Sequence, residues 1–181
     1  MAAASLFLPF LPLTAGQILL NNFLSDIPAV GIADNSVDRE LVDRPRRRDI
    51  RFIGRYMIEF GVLSSVFDFL MFGALLTVFR ATPDVFRTAW FVESLLTELV
   101  VALAMRTQRP FFQSRAGTLL LQVTVGIMML ALAIPYVPRA DVFGFVPLPG
   151  SLLATIVMIT VLYVAATELQ KRSFYRVQPA R

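Results

Sequence analysis

The sequence predicts an all-α fold, a polytopic bundle of five membrane-crossing helices, on three observations. Hydrophobic residues make up 56% of the 181 positions, and mean hydropathy is +0.67. The apolar residues are gathered into runs of about twenty, the length that crosses a bilayer core of about 30 Å at about 1.5 Å per helical residue. The basic residues fall between these runs, mostly on alternate connections, as topology signals do.

Taken in order, residues 1–13 are apolar from the second position. They have no basic n-region and no cleavage site of the signal-peptide kind, so they read as the stump of a preceding helix. Pro9 and Pro12 favour a tight connection there. The first full span is 13–33. Residues 34–51 form a charged loop with six Arg against five acids, a composition that reads as solvated chain. The second span, 52–79, has an amphipathic entry (Arg55, Tyr56, Glu59) and then an apolar run that contains Asp68. The third, 86–105, carries Glu93 and Glu98, with Trp90 and Arg106 as interfacial anchors. The fourth is 117–136. The fifth, 148–169, ends at a basic tail.

Connections 34–51, 106–115 and the tail from 170 hold six, three and four Lys or Arg, thirteen in all; 80–87 and 137–147 hold only three. The positive-inside rule then predicts a cytoplasmic C-terminus in the cell membrane, plasma or inner. With five spans and that orientation, residue 13 starts on the outer side, where the short apolar stretch before it could hardly deliver it. The sequence therefore behaves like the C-terminal part of a longer membrane protein. No internal repeat is visible.

The pI near 10.1 suggests nucleic acid, but the basic residues are spread between spans, so no nucleic-acid partner is expected. With no Cys and no His, disulfides, histidine-based triads and soft-metal sites are excluded. Any ion site must use carboxylate, amide, hydroxyl or carbonyl oxygen. No phosphate-binding Gly-rich loop or nucleophile elbow occurs.

An ionisable side chain in a span costs about 2.5–3.5 kcal/mol on insertion scales, so each calls for a partner or a task. Asp26 has the strongest case. Asn22, Ser25 and Asp26 stand at i, i+3 and i+4, on one helix face. Pro28 has no N–H for the Leu24 carbonyl and is expected to disrupt the helix, freeing that oxygen for a ligand. Four kinds of oxygen within about one turn suit a hard cation. The competing reading is a polar seam that joins helices. Glu98, with Ser94 one turn earlier, is expected to ligate an ion, against a structural acid as alternative. Glu93 lies about 140° round the helix from Glu98, so both cannot face one small site. Its expected place is near the outer interface, with a structural or water-facing role. Asp68 is expected to pack helices, bonding neighbouring hydroxyls or a helix end.

Asn22-Phe-Leu-Ser-Asp-Ile-Pro-Ala, followed by the loop from Asp34-Asn-Ser-Val-Asp38, resembles the sixth transmembrane helix and next loop of P-type cation-transporting ATPases. Gly61-Val-Leu-Ser-Ser-Val-Phe-Asp-Phe-Leu-Met-Phe resembles the seventh helix, and Trp90-Phe-Val through Met105-Arg-Thr-Gln-Arg the eighth. Pro110-Phe-Phe-Gln-Ser-Arg-Ala is similar to the start of the ninth, and these last two signatures are most similar to the magnesium-transporting branch. The resemblance covers nearly all of 1–181 and makes it the C-terminal transmembrane domain of such a pump. It implies that Asn22, Ser25 and Asp26 bind the transported ion, with Glu98 joining them from the eighth helix. Magnesium-type members more often carry Gln at that last position.

Mg²⁺ is then the expected transported ion, with other hard cations admitted, and the lipid bilayer is the surrounding partner. ATP would act only through phosphorylation and nucleotide-binding domains that this stretch lacks. Alone, the chain should not hydrolyse ATP; it would need the missing N-terminal part of the pump or a separately encoded partner. The rival reading is a stand-alone multi-pass subunit that regulates or assembles without pumping. A secondary transporter would predict inverted repeats, which are not seen.

Overall fold

The computed structural model describes residues 8–31, 50–105 and 118–177. Most of the charged loop 34–51, the basic turn 106–115, the first seven residues of the expected helix stump and the last four of the tail lie outside these ranges. The described residues form five α-helices and no strand: α1 (Ala15–Gly31), α2 (Ile50–Gly73), α3 (Pro83–Met105), α4 (Thr118–Ala133) and α5 (Gly150–Val177). α2 runs on as a π-helical turn over Ala74–Val78, and 3₁₀ turns cover Ile134–Tyr136 and Ala140–Phe143.

Each helix falls on an expected span, with shifted ends. α1 has 17 residues, about 26 Å of helix, shorter than expected, whereas α5 continues beyond 169 to Val177. Three helices among the described residues are long and apolar enough to cross a membrane: Met57–Val78, Thr118–Tyr136 and Gly150–Lys171.

α3 is the central element, packing on α1, α4 and α5, while α2 packs on α5. Phe86, Phe91, Val92 and Leu95 of α3 are fully buried, and they meet Leu152 and Ile156 of α5 in one apolar cluster. Phe72 of α2 packs edge-on to Trp90 with ring centroids 4.6 Å apart, and Phe91 meets Phe145 at 4.7 Å. Because lipid is as apolar as Leu, such contacts work through dispersion and shape rather than removal from water. Leu19, Phe23, Val66 and Val161 remain on the outer surface, as lipid-facing side chains should.

Hydrogen bonds fasten the end of the bundle where α1, α3 and α5 begin. Thr14 and Gln17 form a reciprocal cap: the Gln17 N–H donates to Thr14 Oγ1 at 3.3 Å, and the Thr14 N–H to Gln17 Oε1 at 3.1 Å. Gln17 Nε2 also donates to the carbonyl of Gly144 at 3.4 Å, and Gly144 holds a left-handed φ of 74°. Thr88 Oγ1 accepts the Val146 N–H at 3.1 Å, and Arg87 Nε donates to the Leu11 carbonyl at 3.0 Å. Thr14→Ala removes the cap and should cost about 1 kcal/mol, read as a lowered unfolding midpoint in detergent. An unchanged midpoint would show that the cap contributes nothing to the start of α1.

Candidate ion-binding site

α1 turns Gln17, Asn21, Leu24 and Pro28 inward, all buried at helical spacing. One step round, Asn22 and Asp26 are exposed and Ser25 is half-buried. Asn22, Ser25 and Asp26 thus share a face as expected, and that face points away from the packed interior of the described residues. Ser25 Oγ donates to the Asn22 carbonyl at 3.1 Å, leaving its lone pairs for a ligand. The helix does not break at Pro28; it stays α-helical to Gly31. A proline removes one donor and strains the preceding turn, and here helix resumes on both sides of it.

The residue that connects α1 to Glu98 is Asn21. Its Nδ2 donates to Glu98 Oε2 at 3.1 Å, joining α1 to α3 through a charge-assisted bond. Asn21 is 4% exposed, and its Oδ1 is buried with no hydrogen-bond partner among the described residues. Reading Asn22 as the ligand overlooked its neighbour. The available signal was the pair Gln17 and Asn21, two amides four residues apart in an apolar helix.

A cavity of about 530 Å³ opens between α1, α2, α3 and α5. Asn22 and Glu98 line it, as do Asn21 and Ser94, whereas Ser25 and Asp26 are not in its wall. Two of the four expected ligands are therefore brought to one space, and the other two remain on the outer face of α1.

The two remaining acids meet expectation only in part. Asp68 also lines the cavity, near Ser64 and Tyr163, and forms no hydrogen bond to a hydroxyl or helix end among the described residues. Glu93 does not face water: it is 1% exposed, and neither carboxylate oxygen has a hydrogen-bond partner among the described residues. The turn of about 140° from Glu98 aims it inward, into the packed side of α3. No group of three or more His, Cys, Asp or Glu among the described residues is gathered tightly enough to cage a metal. A cation here would depend on amide, hydroxyl and water oxygen as well as carboxylate, a set that suits hard ions.

Residues 10–173 match the family model described as cation transporting ATPase, C-terminus. The chain belongs to that family. It is 37% identical over 178 residues to the magnesium-transporting ATPase, P-type 1, of Salmonella typhimurium strain LT2, covering 96% of this chain and 20% of that protein. The protein of the same description from Escherichia coli strain K12 is 38% identical over the same length and shares. The chain thus spans about one fifth of the length of these relatives, and it is a C-terminal membrane part of a P-type cation ATPase.

Proposed function

We propose that this domain supplies half of a Mg²⁺ transport path, with all five helices crossing the cell membrane and the C-terminus in the cytoplasm. Asn22, Ser25 and Asp26 bind the ion from α1, with the Leu24 carbonyl beside them, and Glu98 contributes from α3. Supporting the reading most directly is the Asn21–Glu98 bond of 3.1 Å, which fixes a carboxylate of the third helix at the cavity that Asn22 also lines. The relatives' description as magnesium-transporting ATPases favours Mg²⁺. So does the sparse oxygen donor set, because Mg²⁺ keeps several of its waters and needs few direct protein ligands.

In this reading, ATP binding and phosphorylation belong to the part of the pump outside these residues, and this domain converts the resulting motion into ion release. Co-reconstitution with the remaining portion of a magnesium-transporting relative tests it. Mg²⁺-stimulated ATP hydrolysis and transport should appear only when the 181-residue chain is present. Equal hydrolysis and transport in its absence would overturn the reading and favour a regulatory subunit.

A further inference from the structure

Residues 134–149 join α4 to α5, and Arg139 and Asp141 are their only charged side chains. Both ends of this connection stand at a membrane boundary, because the apolar stretches long enough to cross end at Tyr136 and resume at Gly150. Tyr136 Oη donates to the Leu148 carbonyl at 2.7 Å, closing the two ends on each other. Between them Val142 is 74% exposed, with Tyr136, Val137 and Phe143 about half exposed. An exposed apolar cluster of this kind marks an interaction surface.

The backbone is suited to a medium poor in water. Pro135, Pro138, Pro147 and Pro149 have no N–H to satisfy. Val137, Ala140, Val142, Gly144 and Phe145 donate to carbonyls of the same connection at 2.8–3.2 Å, and Val146 donates to Thr88 Oγ1 of α3 at 3.1 Å. Irregular backbone is excluded from the hydrocarbon core itself. The place that suits both the apolar side chains and this pairing is the boundary between headgroups and acyl chains, where Tyr also gathers. Arg139 and Asp141 are exposed, so their charges can stay among the headgroups while Val142 and Phe143 reach the acyl edge. The surface also continues the lipid-facing side of α4: the exposed Met129 and Leu130 stand seven residues, about two helical turns, before Tyr136 and Val137.

We propose that residues 136–143 are an interfacial anchor, seated in the headgroup–acyl boundary of the phospholipid leaflet at which α4 ends, with Val142 and Phe143 in the acyl edge. The anchor also braces the start of α1. Gln17 Nε2 donates to the Gly144 carbonyl at 3.4 Å, and a Cβ on Gly16 would stand 3.9 Å from Phe143 Cδ1. The inference rests on α4 and α5 crossing the membrane and is independent of the ion site.

The chain has no Cys, so a nitroxide can be attached at one introduced position, Val142→Cys or Met129→Cys, in the full 181-residue chain in phosphatidylcholine nanodiscs. Oxygen concentrates among acyl chains and a nickel chelate in water, so relaxation of the label by each reports its depth. Relative to a free water-soluble nitroxide, the oxygen-to-nickel ratio should be severalfold higher at Val142 and higher still at Met129. A ratio at Met129 equal to that of the free nitroxide would take α4 out of the membrane, and the anchor with it. An acyl-type ratio at Met129 with a water-type ratio at Val142 would overturn the anchor alone. Insensitivity of the Val142 label to both reagents would place it against protein, a second copy included, and overturn the anchor as well. If Val142→Cys lowers helical content by circular dichroism, the same measurement at Val137→Cys, on the same exposed surface, decides.

Discussion

Asp26→Asn in the assembled pump should reduce Mg²⁺-stimulated ATP hydrolysis to background. The substitution keeps size and shape but exchanges an anion that accepts at both oxygens for a neutral amide with two donors. A hard cation loses both the charge and a ligand oxygen. Folding should be untouched, because Asp26 is exposed and has neither an ion pair nor a hydrogen bond among the described residues. Retained helical content with abolished stimulation is the expected pair of results. Wild-type stimulation in the variant would remove Asp26 from the ion path and, with it, the main functional assignment of α1.

Asn21→Leu should raise the Mg²⁺ concentration for half-maximal stimulation about tenfold and leave the maximal rate within about twofold. Asn21 acts as a positioning residue: its amide holds Glu98 Oε2 at 3.1 Å, and without that donor the carboxylate can turn away from the cavity. Because the effect passes through Glu98, combining Asn21→Leu with Glu98→Gln should weaken the ion response little more than Glu98→Gln alone. Fully multiplicative losses would show that Asn21 acts independently of Glu98, for instance by direct ligation through Oδ1.

The helices were legible because span length and apolar continuity are local properties, and all five helices fall on expected runs. Their ends were less so. The reciprocal Thr14–Gln17 bonds start α1 later than the apolar run begins, and α5 carries helix past Leu169 because nothing in its sequence breaks it before Val177. Among polar residues, periodicity correctly grouped Asn22, Ser25 and Asp26. Of the two roles expected for Glu93, structural or water-facing, its 1% exposure excludes the second; spacing along one helix says which residues diverge but not what stands on each side.

By itself the sequence determined the class of this protein, its apolar spans and the oxygen-only chemistry open to it, because hydropathy and the absence of Cys and His act residue by residue. Only the tertiary structure decided which amide meets which acid. α1 and α3 are 51 residues apart between Gly31 and Pro83, and no local rule specifies their rotation against each other. Packing turns Asn21 rather than Asn22 toward Glu98 and gathers Asp68 and Trp90 into the wall of the same cavity. Asp26 is left on the outer face of α1, exposed among the described residues.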